Sequence, residues 1–176
     1  MSEMWDILGE DGEPTGVLKE RGPLGAGEYH LVVHVWIMNG RGELLVSKRT
    51  PNKPWPLMWE TTGGSAVAGQ DSLAAALAEA REELGIALRP ENGRVYRRFT
   101  IEYAAGNGDI VDVWLFEQDV DLGDVVLSPE ETCDAMLATP QKILKMMDGG
   151  QFISREFYPY IDEFFAEIKR RQHNGR

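Results

Sequence analysis

The chain has 176 residues, with 18 Lys and Arg against 29 Asp and Glu, which gives a formal net charge of −11. This length is typical of one domain whose core needs no disulfide, so we expect residues 1–176 to form a single domain. Hydrophobic residues make up 43% of the chain, which excludes a disordered protein, and the acidic balance argues against a nucleic-acid partner.

The first predicted elements are a turn-rich extension and a β-hairpin. Residues 1–28 form the extension, in which residues 9–28 are rich in Gly, Glu and Pro and favour turns. Residues 30–38 are β-branched and aromatic, which is typical of a buried strand. The sequence Asn-Gly-Arg-Gly at 39–42 predicts a tight turn, and residues 43–49 form the returning strand.

A loop, a connector and a helix follow the hairpin. Three prolines exclude a regular helix over residues 50–60, so we expect a loop there that packs through three anchors. The anchors are Trp55, Met58 and Trp59. Residues 61–70 contain glycines and form the connector. Residues 72–84 are rich in Ala and Leu and favour a helix, which either polar residue of 71–72 can cap and which Gly85 ends.

Two more strands and two helices complete the predicted order. Residues 94–103 and 110–120 form the strands, and residues 121–135 form an acidic loop. A Thr-Pro pair begins a helix over residues 139–150, and residues 157–171 form a second amphipathic helix. Strand hairpins mixed with helices indicate an α+β fold, in which helices cover both faces of a central mixed sheet.

Three glutamates on the first predicted helix suggest a metal site. Glu79, Glu82 and Glu83 stand at i, i+3 and i+4, so they lie on one helix face. Their mutual repulsion is unfavourable unless a cation relieves it, and Mg²⁺ prefers such oxygen ligands together with substrate phosphates. Gly63 and Gly64 precede the helix and would let a diphosphate approach the backbone closely.

The spacing of these residues resembles the Nudix box, which is the signature of the Nudix hydrolases. Gly64 opens the pattern and a second block closes it in register: Glu79, Ala80, Arg81, Glu82, Glu83, Leu84, Gly85 and Ile86. The resemblance extends to the Nudix branch related to isopentenyl-diphosphate isomerase, through residues 28–36, residues 42–49, Trp59 and the opening Trp5-Asp6. It implies a Nudix-type α/β/α sandwich with its box at residues 64–86.

The resemblance implies a Mg²⁺-dependent hydrolase, with Mn²⁺ as a substitute, that cleaves a diphosphate linkage in a nucleoside diphosphate derivative. Glu82 and Glu83 would be the main metal ligands, with the Gly64 carbonyl completing the set. Glu79 would be a further ligand or would help to activate water. All three glutamates are therefore expected to be catalytic.

Two positions depart from the family pattern. Its first glutamate is Gln70 here, and its arginine is Ala78. The two family residues are expected to support each other and to orient the catalytic glutamate. The loss of both residues removes a charge pair without leaving either charge unpaired, so we expect the fold to persist and catalysis to weaken.

Four further residues are candidates for catalysis or substrate binding. Glu131 and its neighbour Glu130 could supply an additional acid or base, although both could simply cap a turn. Lys48 and Arg49 end a strand and could contact substrate phosphates together with Gly63 and Gly64, although exposed cations are common at strand ends.

The remaining polar and aromatic residues are expected to be structural. His30 and His34 share one strand face, and a buried imidazole with partners is favoured over a substrate contact. Tyr103 could stack on a base, but core packing is favoured. Cys133 lies in the predicted acidic loop without an adjacent His, and we interpret it as structural.

Two other functions compete with hydrolysis. A Nudix-like binding protein is suggested by Gln70 and Ala78. An isomerase is less favoured, because residues 61–65 lack the cysteine that the isomerase family has there. We expect a small-molecule diphosphate partner, no nucleic acid, no membrane and a homodimer. A single cysteine and an acidic N-terminus without a basic signal region favour the cytoplasm.

Overall fold

Strands outnumber helices in the computed structural model, which describes residues 3–174 of the chain. The strands are β1 (Met4–Leu8), β2 (Pro14–Glu20), β3 (Tyr29–Met38), β4 (Leu44–Arg49), β5 (Trp59–Glu60), β6 (Thr62–Ser65), β7 (Gly93–Tyr103), β8 (Asn107–Glu117) and β9 (Thr132–Ala138). The α-helices are α1 (Ser72–Leu84), α2 (Pro140–Asp148) and α3 (Ile161–Asn174).

The first of two compact units comprises the described chain up to Trp36, together with Thr62–Glu82 and Ala87–Phe116. In this unit β1 pairs with β2 and, through Leu8 and Tyr29, with the start of β3. Strand β6 pairs with β3, and β7 pairs with β8. These ladders are antiparallel, and they place the glycine-containing strand β6 directly beside the histidine-bearing strand β3.

The second unit comprises Ile37–Thr61, Glu83–Ile86 and the described chain from Glu117 onward. Strand β4 pairs antiparallel with the end of β3, with β5 and with β9. Helices α2 and α3 bury apolar side chains such as Ile143 and Phe164. Because β4 is hydrogen-bonded along both edges, its C-terminal end, which carries the predicted cationic residues, is held firmly.

Helix α1 has the predicted bounds, and its cap is settled by the structure. Asp71 Oδ1 accepts a hydrogen bond from the backbone N–H of Ala74 at 2.8 Å, as an N-cap residue does. Ser72 instead accepts a hydrogen bond from the indole N–H of Trp114 at 2.8 Å. Gly85 has a φ of 68°, which confirms its predicted left-handed position after the helix.

Five strands lie in segments for which no strand was predicted, and those predictions are wrong in part. β1 and β2 lie within the predicted extension of residues 1–28, β5 within residues 50–60, β6 within residues 61–70, and β9 begins within residues 121–135. β2 is exposed along nearly its whole length, so its sequence has no alternation of apolar and polar residues. β5 and β6 have two and four residues and exist because they pair with neighbouring strands.

Two further details refine the sequence analysis. The last helix begins at Ile161 rather than at residue 157, because Arg155–Phe157 forms a 3₁₀ turn that Ser154 caps. Trp55, one of the predicted packing anchors, is 46% exposed and has a positive φ of 52°. Its ring packs edge-on against the ring of Phe157, with centroids 4.9 Å apart, so Trp55 still anchors this loop through one side of its ring.

The predicted fold class is confirmed, since the chain has an α+β fold with a mixed multistranded sheet and three helices. Among the helices of residues 3–174, none combines the length and apolarity that a bilayer crossing requires.

Candidate active site

Helix α1 presents its three glutamates at different depths. Glu82 is exposed, Glu79 is partly buried, and Glu83 is 5% exposed. Consecutive helical residues point about 100° apart, which is why Glu82 faces solvent and Glu83 is buried. Glu79 stands three and four residues before them and shares their general face. The face predicted from sequence is therefore a band that runs from solvent into the protein.

Glu79 lies directly over the backbone of β6. A Cβ atom placed on Gly64 would lie 2.3 Å from Glu79 Oε1, so any larger residue at this position would displace the carboxylate. Gly63 is needed for a different reason, because a Cβ there would lie 2.1 Å from the Val33 carbonyl oxygen of the paired strand β3. The glycine pair thus lets a carboxylate and a strand approach the same short backbone segment.

The end of α1 from Glu83 onward belongs to the second unit and is held by a loop of that same unit. The carbonyl of Glu83 accepts hydrogen bonds from the backbone N–H of Ser128 at 3.1 Å and from the hydroxyl of Thr132 at 3.0 Å. A Cβ on Gly85 would lie 2.8 Å from Val126 Cβ, so the glycine also permits close packing of this loop. These contacts fix the backbone from which the Glu83 carboxylate projects.

A buried ion pair joins the end of β4 to β5. Arg49 donates from Nη1 to Glu60 Oε2 at 2.6 Å and from Nε to the Pro54 carbonyl at 2.7 Å. Its guanidinium lies 5.9 Å from the ring centroid of Trp55. Arg49 was predicted to bind substrate phosphate; the structure places it against Glu60, and a phosphate contact stays a prediction.

Glu60 is the site residue that the sequence analysis missed. Burial, followed by the negative charge of Glu83, raises the pKa of Glu60 to about 7 against the opposing influence of Arg49 and Lys53. A carboxylate with such a pKa in a buried position is a candidate functional group. The available signal was one acidic residue between Trp59 and the threonine-glycine run, in a segment otherwise free of acidic side chains.

The other predicted charged residues lie near the same two strands. Glu131 forms an ion pair with Lys53, and Glu130 is exposed. Lys48 extends over the ring of Trp59, with its Nζ 5.8 Å from the centroid. The structure thus brings Glu131 into a charged pair, while a catalytic role for it and a substrate contact for Lys48 stay predictions.

A second polar cluster in the first unit surrounds His30. Its Nε2 lies 3.1 Å from Ser65 Oγ, and its ring stacks on Trp5 with centroids 3.9 Å apart. Its Nδ1 lies 3.0 Å from Asp109 Oδ1, although the two atoms are not aligned for a hydrogen bond. Tyr103 donates its hydroxyl to the other Asp109 oxygen and is 46% exposed, so core packing is the wrong interpretation of Tyr103.

His34 and Cys133 have no place in the candidate chemistry. Burial lowers the pKa of His34 to about 4, which keeps the imidazole neutral at pH 7. Cys133 lies on β9 rather than in a loop, is exposed, and has its Sγ 3.3 Å from the Arg49 carbonyl oxygen. That Cys133 is structural rather than catalytic stays a prediction.

The two departures from the box have a local explanation. Gln70 Oε1 accepts a hydrogen bond from the backbone N–H of Val67 at 3.1 Å, so this side chain stabilises the turn before α1. Ala78 is partly buried on the helix and carries no charge that would need a partner. Gln70 therefore has a role that does not depend on an arginine at position 78.

The residues present suit a hard divalent cation. Carboxylate and backbone carbonyl oxygens are the donors that Mg²⁺ prefers, and Glu60 Oε1 is a buried oxygen without a hydrogen-bond partner. No three His, Cys, Asp or Glu side chains in residues 3–174 are gathered so that they could hold an ion as they stand. Repulsion between like charges opposes such gathering until a cation is bound.

Comparison with known proteins identifies the family. The family model described as the NUDIX domain matches residues 28–161. An uncharacterized Nudix hydrolase of Listeria innocua is 38% identical over 170 residues, which is 95% of this chain and 95% of that protein. The chain therefore belongs to the Nudix hydrolase family. Members of this family act on pyrophosphate-containing substrates and generally use divalent metals such as Mg²⁺.

Two more distant similarities agree with this assignment. An isopentenyl-diphosphate Delta-isomerase of Escherichia coli is 30% identical over 105 residues, covering 58% of this chain and 57% of that protein. The crystal structure of DR0079 from Deinococcus radiodurans superposes with a TM-score of 0.72 at 21% identity, covering 92% of this chain and 98% of that one. The latter similarity supports the fold alone.

Proposed function

We propose that this protein is a divalent-cation-dependent pyrophosphohydrolase that cleaves a diphosphate linkage in a nucleoside diphosphate derivative. The approach of Glu79 to the backbone of Gly64 carries the proposal, because it joins the two ends of the box in space. Mg²⁺ is the proposed cation and Mn²⁺ its substitute, since both accept oxygen donors.

The proposed roles follow from the position of each residue on α1 and β6. Glu82 and Glu83 would hold the cation, together with Glu79 and the Gly64 carbonyl. A cation bound there supplies a water of lowered pKa and neutralises diphosphate charge. Glu79, placed over Gly64, or Glu131 would accept a proton from the attacking water. The water oxygen bonds to phosphorus, the bridging P–O bond breaks, and two phosphorylated fragments leave.

Substrate binding is proposed for the end of β4 and for β6. Lys48 is partly buried beside Trp59, and an ammonium group there can meet a phosphate oxygen. Arg49 could contribute only the part of its guanidinium that its contacts with Glu60 and Pro54 leave available. The small size of Gly63 and Gly64 keeps the nearby backbone accessible to the diphosphate.

The test is chromatographic detection of the phosphorylated products formed from a panel of dinucleotides, nucleotide sugars and nucleoside diphosphates with Mg²⁺ or Mn²⁺. Replacing Glu82→Gln together with Glu83→Gln should abolish Mn²⁺ binding in calorimetry and lower kcat by about a thousandfold, since metal catalysis supplies several kcal/mol. Glu91→Gln, which changes an exposed carboxylate outside α1, is the matched control and should leave both unchanged. Unchanged Mn²⁺ binding in the double variant would exclude the proposed metal site.

A binding protein with weakened catalysis is the second candidate, and the loss of the Gln70 and Ala78 charges favours it. Misplacing a catalytic group by 1 Å can cost about a hundredfold in rate. Restoring both residues with Gln70→Glu and Ala78→Arg should therefore raise kcat, and each single change should help less. Tight nucleotide binding without turnover, in both the wild type and the double variant, would support the binding function instead.

An isomerase remains the least favoured alternative, since the glycine strand β6 carries no cysteine and Cys133 is exposed on β9. A homodimer, a cytoplasmic location and the absence of nucleic-acid and membrane partners also stay proposals. Analytical ultracentrifugation of the purified chain would test the homodimer directly.

A further inference from the structure

One oxygen of the Glu60 carboxylate is buried without a partner. Its Oε2 accepts a hydrogen bond from Arg49 at 2.6 Å, whereas Oε1 has no hydrogen-bond partner within the described residues. Glu60 is 8% exposed, so bulk water has little access to this oxygen. Leaving a buried carboxylate oxygen unpaired costs free energy, and such a group in a folded protein requires an explanation such as an ion.

Charges of both signs act on Glu60. Glu83 is 5% exposed, and its negative charge acts on Glu60. Arg49 is hydrogen-bonded to Glu60 Oε2, whereas Lys53 forms an ion pair with Glu131. A negative charge that acts on a carboxylate with a buried, unpaired oxygen favours a cation bound at that oxygen.

We propose that Glu60 holds the divalent cation together with Glu83 through its unpaired Oε1, and that Arg49 is the positioning residue for this carboxylate. The inference rests on the proposed function, because it concerns the same cation. Arg49 suits this role because its guanidinium is fixed at two points, by Glu60 Oε2 and by the carbonyl of Pro54. Glu60 would thus add a donor from β5 to the Glu83 carboxylate at the end of α1.

Binding of Mn²⁺ alone, measured by isothermal titration calorimetry, tests the proposal without reference to activity. Glu60→Gln keeps the size of the side chain and an oxygen for Arg49 but removes the negative charge. We expect its Mn²⁺ affinity to fall by about 10- to 100-fold, the range typical of groups that support a metal site. A thermal melt without metal shows whether the variant is folded.

Asp112→Asn is the matched control, because Asp112 is a buried carboxylate that pairs with Arg98 through both oxygens. This variant also breaks a buried ion pair, so it reproduces the structural disturbance without removing an unpaired oxygen. Its Mn²⁺ affinity should equal that of the wild type. A similar loss of affinity in both variants would mean that general destabilisation, and not ligation, explains the effect at Glu60, and the proposal would be overturned.

A second variant keeps the test decisive if Glu60→Gln does not fold. Glu60→Asp retains the charge but withdraws the carboxylate by one methylene, so Mn²⁺ affinity should still fall. Wild-type affinity in Glu60→Asp or in folded Glu60→Gln would overturn the role of Glu60. If the Glu82→Gln, Glu83→Gln variant loses binding in the same series, the proposed metal site stands independently. If the wild type binds no Mn²⁺, this inference fails, whereas turnover on the substrate panel still decides the hydrolase proposal.

Discussion

Two arginine–carboxylate pairs in this protein look alike in sequence and differ in structure. In the first unit, Arg98 binds both oxygens of Asp112, at 2.7 and 2.8 Å. In the second unit, Arg49 binds one oxygen of Glu60 and leaves the other buried and unpaired. The first arrangement satisfies its carboxylate completely, and the second leaves an open position for another ligand.

The solvent exposure of the arginines sharpens the contrast. The Arg98 side chain is 53% exposed, so the positive charge of that pair remains hydrated while Asp112 is buried. The Arg49 side chain is 12% exposed, and the pair it forms also faces the charge of Glu83. Burial of an ion pair is costly unless every oxygen finds a partner. The Arg98 pair thus satisfies its carboxylate within the fold, whereas the Arg49 pair is the one for which we propose a role in a metal site.

The largest expected effect comes from removing the arginine of the second pair. Arg49→Gln leaves the buried Glu60 carboxylate without the cation that is hydrogen-bonded to it, so the free energy of unfolding should fall by about 3–5 kcal/mol in the absence of metal. Urea denaturation measures this loss. Saturating Mn²⁺ should recover part of it, because a ligand that binds only the native state stabilises it. Arg98→Gln is the control, and Mn²⁺ should not recover its loss.

The pH dependence of stability should come next in size. The pKa of Glu60 is about 7 in the folded protein against 4.5 for the free side chain, so the folded state binds more protons between these values. The contribution of Glu60 to the stability of the metal-free protein should therefore be largest below about pH 4.5. It should decrease as the pH rises to 7. At 1.36 kcal/mol per pKa unit the decrease is at most about 3 kcal/mol.

Glu60→Gln removes the titrating carboxyl group. The midpoint of urea denaturation should therefore decrease less in this variant than in the wild type between pH 4.5 and pH 7. His34 acts in the opposite direction, since its pKa is lowered to about 4 and acidification below 6.5 costs stability. His34→Gln therefore serves as the companion variant that separates the two contributions. A decrease of full size in Glu60→Gln would contradict the assignment of this titration to Glu60.

A smaller effect on stability is expected at the Arg98–Asp112 pair. Asp112→Asn should lower the free energy of unfolding by about 1–2 kcal/mol, because it weakens charge-assisted hydrogen bonds while the half-exposed Arg98 regains hydration. Guanidinium denaturation with and without Mn²⁺ should give the same difference from wild type. A difference that depends on Mn²⁺ would show that the two pairs are not separable, and the comparison between them would fail.

The smallest effect is expected at Cys133, whose sulfur contacts the Arg49 carbonyl at 3.3 Å. The residue is exposed, so Cys133→Ala should change stability by less than about 0.5 kcal/mol and leave turnover unchanged. Cys133→Ser is the conservative control for any effect of the sulfur contact. A loss of activity by several orders of magnitude in Cys133→Ala would contradict this expectation and support the isomerase alternative.

Elements with local signals were predictable from the amino-acid sequence alone. The bounds of α1, the turn between β3 and β4 and the left-handed position of Gly85 were predictable, because capping, helix propensity and glycine preference act over a few residues. The register of the three glutamates with Gly64 was likewise readable. It identified the family before any contact was known.

Contacts between residues that are distant in sequence were not predictable and became visible in the folded chain. Strands β2, β5 and β6 escaped prediction because they are exposed or very short. Strand β9 escaped prediction because it forms by pairing with β4, which is distant in sequence. The same reason explains why Glu60 was not predicted as a candidate site residue. Nothing beside it in the chain reveals that Arg49 reaches one of its oxygens, that Glu83 acts on it, or that its other oxygen is buried. Burial and charge balance are properties of neighbours in space, which a linear pattern does not contain.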